Sequence, residues 1–161
     1  MAIQSPPTTM TINLADEQAT LDLAATLAGH TKAGDVIALS GELGAGKTTF
    51  ARGFIQTKRK TPEEVPSPTF TLVQTYETGD AMIHHFDFYR LNDPEEAYEL
   101  DIEDAFVTGI SLIEWPEKIG ALIPAERLDI RLEFSKNPQA RQAILTGHRG
   151  WIARLQEIER G

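Results

Sequence analysis

The stretch Gly41-Glu42-Leu43-Gly44-Ala45-Gly46-Lys47-Thr48 meets the pattern G-x-x-x-x-G-K-[ST] at every fixed position. Glycines at these places let backbone N–H groups turn inward around an anion. The lysine reaches β/γ-phosphates, and the hydroxyl can ligate Mg²⁺. Such a loop carries meaning only between a strand and a helix. Val36-Ile37-Ala38-Leu39 is the short continuous apolar run expected of a parallel strand buried on both faces. Residues 48–56 follow as a helix with Phe50, Phe54 and Ile55 on its apolar side, and its positive dipole end falls on the loop. The expectation is α/β: a single P-loop NTPase domain, with a mixed central sheet flanked by helices and ATP as the ligand.

The rest of the chain is read around that unit. Residues 1–9 are expected to be a flexible tail, and 10–161 the domain. A short strand is expected at 10–14. Asp16 then caps a helix to about residue 28, whose Leu21, Leu23, Ala24, Leu27 and Ala28 recur at helical spacing. Residues 71–78 and 81–88, separated by Gly79-Asp80, read as a hairpin. Residues 94–100 read as a short acidic helix. Ser111-Leu112-Ile113-Glu114-Trp115 reads as another buried strand, closed by Pro116. Leu128, Ile130, Leu132 and Phe134 alternate with polar residues, the period of a half-buried strand, and 141–146 is its expected partner. A final helix is expected at 148–159, with Trp151, Leu155 and Ile158 on one face.

A P-loop also needs an acidic residue near Mg²⁺, at the end of a neighbouring strand. Asp87 and Glu114 both qualify, and spacing does not rank them. On a strand, His85 and Asp87 share one face while Phe86 and Phe88 face the core. His84 and His85 point to opposite faces and so form no chelating pair. His30 and His148 stand alone, so zinc is not expected.

The 161 residues suit one domain. Cysteine is absent, which excludes disulfides and thiolate metal sites. With no basic, apolar leader at the N-terminus and no apolar run of about 20 residues, a cytoplasmic protein without membrane association is expected. Net charge is −9, from 24 acidic and 15 basic residues. Proteins that grip nucleic acid directly carry a basic excess. The nearest basic cluster, Lys58-Arg59-Lys60, reads as a solvated loop. Any nucleic acid in this protein's biology is expected to reach it through a partner.

Four blocks in order complete a wider pattern: residues 41–49, Ser67-Pro68-Thr69-Phe70-Thr71-Leu72-Val73, His85-Phe86-Asp87-Phe88-Tyr89-Arg90-Leu91, and Ile113-Glu114-Trp115-Pro116. Together they resemble the bacterial TsaE (YjeE) family over about residues 16–141. The resemblance implies a small Mg²⁺-dependent ATPase, slow alone and activated by partners. It would be needed for threonylcarbamoyladenosine modification of tRNAs reading codons that begin with A. TsaB and TsaD are the partners it implies. By the same resemblance Thr48 and Glu114 hold Mg²⁺, and Gly44, Ala45, Gly46, Lys47, Thr48 and Thr49 wrap the phosphates. Lys47, Asp87 and Glu114 are the catalytic residues, and Trp115 lies beside the nucleotide. Asp16 opens a stretch near the adenine, Arg141 matches a late arginine, and residues 67–69 resemble a switch segment. Residues 58–66 and those after Phe134 depart from the family pattern.

A small-molecule kinase is the alternative, but no arginine-bearing lid or acceptor pocket is legible. A GTPase lacks its N-K-x-D motif, and a non-hydrolysing scaffold would not need both candidate carboxylates.

Overall fold

Val36, Ile37, Ala38 and Leu39 are all buried, as a run without alternation requires of a strand covered on both faces. They form β2 (Val36–Ser40) at the centre of a seven-stranded sheet in the computed structural model, which describes residues 6–161. The other strands are β1 (Thr8–Leu14), β3 (Val73–Tyr76), β4 (Ile83–Asp87), β5 (Ile110–Glu114), β6 (Leu128–Phe134) and β7 (Arg141–Gly147). Their order is β1-β7-β6-β2-β5-β4-β3. Strands β6, β2, β5 and β4 run parallel; β7 and β3 run antiparallel to them, and β1, antiparallel to β7, runs in their direction. The fold is therefore a single α/β domain with a mixed sheet, as expected.

The helices are α1 (Glu17–Ala28), α2 (Lys47–Arg59), α3 (Ile102–Thr108) and α4 (Gly150–Arg160). Asp16 starts α1 by accepting a hydrogen bond from the Ala19 amide at 2.9 Å, which satisfies one of the orphan donors of the first turn. One face of the sheet packs Ile37, Leu39, Leu112, Ile130 and Leu145 with Leu27, Phe50, Phe54, Trp151 and Leu155 from α1, α2 and α4. The opposite face gathers Val36, Phe86, Phe88 and Ile113 against Ala97, Ile102 and Ala105. Strand β4 lies between both clusters. His85 is accordingly as buried as Phe86, and the division into a core face and a polar face does not apply to it.

Several boundaries differ from expectation. Strand β1 starts at Thr8, so the expected tail at 1–9 overlaps it by Thr8 and Thr9, while residues 1–5 lie outside the described ones. Its antiparallel pairing to β7, from Thr8↔Gly147 to Leu14↔Arg141, sets that length. Helix α2 runs on to Arg59, so Lys58 and Arg59 are not a solvated loop. They sit in its last turn, where cations complement the dipole, and they pair with Asp80 at 3.6 Å and Glu63 at 2.7 Å. The hairpin forms from β3 and β4 with Val73 opposite Phe86 and Tyr76 opposite Ile83, shorter at both ends than expected. The segment Pro94–Leu100 is 3₁₀ rather than α-helical. Helix α3 was not anticipated; at 7 residues it is too short to display a period.

Candidate functional site

Three glycines of the loop have left-handed backbone, Gly41 at φ 139°, Gly44 at φ 83° and Gly46 at φ 113°. A Cβ on Gly41 would fall 2.4 Å from the Leu132 carbonyl oxygen. Only glycine lets the chain leave β2 this close to β6. Gly46 precedes α2 without any side-chain cap, so the first-turn amides of that helix open toward the loop as an anion site.

Lys47 is buried, and its Nζ donates to the carbonyls of Gly41 at 2.6 Å and Glu42 at 3.0 Å. Burial pushes its ammonium below the usual lysine value, while the charges of Glu114, Glu117 and Asp87 pull it back. The Nζ also stands 4.4 Å from the centre of the Trp115 ring. Trp115 turns the chain at φ 60° directly after β5, and its ring packs against Tyr89 at 5.0 Å between centroids.

Strand pairing places the two carboxylates. In the parallel register of β4 on β5, Asp87 lies beside Glu114, both on the α2 face and both buried. The Thr48 hydroxyl, in the first turn of α2, donates to Glu114 at 3.1 Å from Oε1 and 3.2 Å from Oε2. His85 Nε2 lies 2.6 Å from Glu114 Oε2. Asp87 has other company. Its Oδ2 accepts from the Ser67 and Thr69 hydroxyls, each at 3.0 Å, and its Oδ1 from the Tyr89 amide at 2.9 Å. The two acids that spacing left unranked are thus separated by their donors: Glu114 faces the loop threonine, and Asp87 holds segment 67–69.

Two cavities sharing Gly44, Gly46 and Thr49 form one groove over the loop. The inner part, about 290 Å³, is bounded by Lys47, Thr48, Ser67, Asp87, Glu114 and Trp115. The outer part, about 450 Å³, is bounded by Asp16, Thr20, Thr49, Gln139 and Arg141. Every residue expected at the site, Ala45 included, lines one part or the other. Arg141 is engaged with backbone: it donates to Pro138 and Ala140 carbonyls at 2.8 Å each and to Gly44 at 3.2 Å. It braces the loop and walls the groove. Thr20 ends the stretch Asp16–Thr20 that the family resemblance set near the adenine, whereas sequence reasoning did not single out Gln139 or the contact of His85 with Glu114. Nothing local marks Gln139, and the burial of His85 depends on sheet order.

Thr48 and Glu114 themselves offer only oxygen ligands, His85 Nε2 being engaged with Glu114 Oε2 on the core side, and no cluster of three or more His, Cys, Asp or Glu suits a metal among the described residues. That set fits Mg²⁺, which keeps waters and phosphate ligands and takes one or two carboxylates from protein.

Comparisons with known proteins bear on the family and the fold. Residues 14–143 match the family model "TsaE: Threonylcarbamoyl adenosine biosynthesis protein TsaE". The tRNA threonylcarbamoyladenosine biosynthesis protein TsaE of Rickettsia conorii is 40% identical over 136 residues, 84% of this chain and 78% of that one. The protein of the same name from Bacillus subtilis is 42% identical over 120 residues, 74% of this chain and 73% of that one. The crystal structure of Bacillus subtilis YdiB superposes with a TM-score of 0.78 at 28% identity, covering 97% of both chains.

Proposed function

The chain belongs to the TsaE family of threonylcarbamoyladenosine biosynthesis proteins, and we propose that it is the ATP-binding and ATP-hydrolysing subunit of that tRNA modification. In this reading it acts in the cytoplasm with TsaB- and TsaD-type partners, meets tRNA only through them, and hydrolyses ATP slowly until they bind. No helix among the described residues is long and apolar enough to cross a membrane. The observation that carries the reading is the contact between the Thr48 hydroxyl and Glu114 at the mouth of the glycine loop.

The chemistry assigns each group a task. The amides of residues 44–49 receive the phosphates, and Lys47 exchanges its two carbonyl partners for phosphate oxygens. Thr48 and Glu114 hold Mg²⁺, which when bound neutralises charge on the phosphate oxygens. Asp87 is the second catalytic carboxylate. When the Ser67 and Thr69 hydroxyls leave its Oδ2, that oxygen is free to orient an attacking water. Trp115 and Tyr89 wall the phosphate end, while Asp16 and Arg141 flank the nucleoside end. The test is ATP hydrolysis with and without Mg²⁺, by the protein alone and with purified TsaB- and TsaD-type partners and tRNA. Mg²⁺-dependent turnover lost in Lys47→Ala is expected; turnover that survives Lys47→Ala overturns the reading.

A further inference from the structure

His85 lies wholly inside the protein on β4, two residues before Asp87 and on the same face of the sheet. Neither cavity of the groove includes it in its lining. Its Nε2 stands 2.6 Å from Glu114 Oε2, while its Nδ1 is buried with no partner among the described residues. An ionised carboxylate only accepts, so the hydrogen of this bond sits on Nε2. The bare Nδ1 then leaves one lone pair unmatched, whereas a hydrogen there would be a buried donor without an acceptor. The surroundings therefore select the Nε2–H tautomer, the one that can hold Glu114.

We propose that His85 is a positioning residue. Its Nε2–H fixes the Glu114 carboxylate against the Thr48 hydroxyl and thereby sets the site's affinity for a divalent cation, without reaching cation or nucleotide itself. The inference rests on the reading of Thr48 and Glu114 as the cation-holding pair. Among the described residues two side chains hydrogen-bond the Glu114 carboxylate and so restrain its torsions, Thr48 from the loop side and His85 from the core side. Removing the core-side restraint leaves a buried carboxylate free to turn away from the loop. Outer partners of this kind typically change metal affinity by ~10–100-fold.

Two substitutions separate positioning from core filling. His85→Leu keeps an apolar volume and removes the donor; His85→Gln keeps an N–H near the Nε2 position. The full-length protein is titrated with a non-hydrolysable ATP analogue by calorimetry, in EDTA and across a Mg²⁺ series. In His85→Leu the Mg²⁺ midpoint is expected to rise by ~10–100-fold, with affinity in EDTA unchanged, and His85→Gln is expected to recover most of the loss. An unchanged midpoint in His85→Leu, or equal shifts in both variants, overturns the proposal. If His85→Leu does not stay folded, His85→Gln decides: a midpoint near that of the wild type upholds the role, and a shift as large as ~10-fold overturns it. A wild-type protein indifferent to Mg²⁺ instead removes the cation reading of Thr48 and Glu114, and this inference with it.

Discussion

Asp87 and Glu114 are register partners on the parallel strands β4 and β5, with side chains on the same face, yet no donor among the described residues is common to both. Ser67, Thr69 and the Tyr89 amide hold Asp87; Thr48 and His85 hold Glu114. Side by side, the two carboxylates are held by different donors.

Their substitutions therefore have different consequences. Glu114→Ala leaves the Thr48 hydroxyl and the buried His85 N–H without their acceptor, a loss of about 2–3 kcal/mol. For a chain of this size that is a Tm lower by ~5–10 °C, together with loss of Mg²⁺-dependent hydrolysis. Metal-free ADP binding is expected to persist. Calorimetry and a melting curve check both; hydrolysis that survives here while Asp87→Ala is inactive reverses the assignment of the cation ligand.

Asp87→Ala acts on segment 67–72. It removes the acceptor of two hydroxyls beside Phe70, which is already 81% exposed. Chymotrypsin is expected to cleave after Phe70 faster in Asp87→Ala than in the wild type, with little change elsewhere. Equal cleavage rates would show that Asp87 does not anchor the segment.

Lys47 predicts two pH dependences of opposite sign. Its folded value lies below the ordinary 10.5, chiefly through burial. Between that lowered value and 10.5 the unfolded chain binds more protons, so wild-type stability relative to Lys47→Met rises with pH across this window. Phosphate binding favours the ammonium, so nucleotide affinity falls as pH climbs through the lowered value. Lys47→Met, without a titrating amine, is expected to bind at least ~100-fold more weakly, the loss of about 3 kcal/mol of charge-assisted contact. Urea melts and calorimetry across alkaline pH measure both trends.

Gly41→Ala is expected to destabilise the protein by more than about 2 kcal/mol and to abolish nucleotide binding. The new Cβ meets the Leu132 backbone oxygen at 2.4 Å, an atom held in β6, and φ 139° is itself unfavourable for alanine. Gly44→Ala is the control. Its Cβ has only Phe134 Cζ at 3.8 Å, so strain at φ 83° remains as the main cost and stability drops less. Urea denaturation of the two variants distinguishes them.

Partner activation is tested by single-turnover hydrolysis. A slow rate alone and a faster one with the TsaB- and TsaD-type proteins is expected, through ordering of segment 67–69. A trans-acting arginine is worth as much as ~10³–10⁵ in such sites, and a smaller effect is expected here. Fast turnover by the isolated chain, unchanged by partners, would contradict it.

Local pattern alone determined the strand–loop–helix of residues 36–56, the Asp16 cap, the β3–β4 hairpin and the alternation of β6. Each of these is written within about twenty consecutive residues, where periodicity, glycine positions and capping chemistry act. The block order of residues 41–49, 67–73, 85–91 and 113–116 was enough to indicate the family. What the sequence left open needed contacts between distant segments. Thr48 and Glu114 are 66 positions apart, and they meet only because β5 inserts between β2 and β4. The same insertion sets Asp87 beside Glu114, and His85 is covered by β5 on one side and β3 on the other. Sheet order is decided by hydrogen bonding and burial among strands with similar apolar runs, and no single run records which neighbour it will have. The loop could therefore be read from the chain and the family resemblance already distinguished the two carboxylates, while the separate hydrogen bonds that hold Asp87 and Glu114 are made only in the folded sheet.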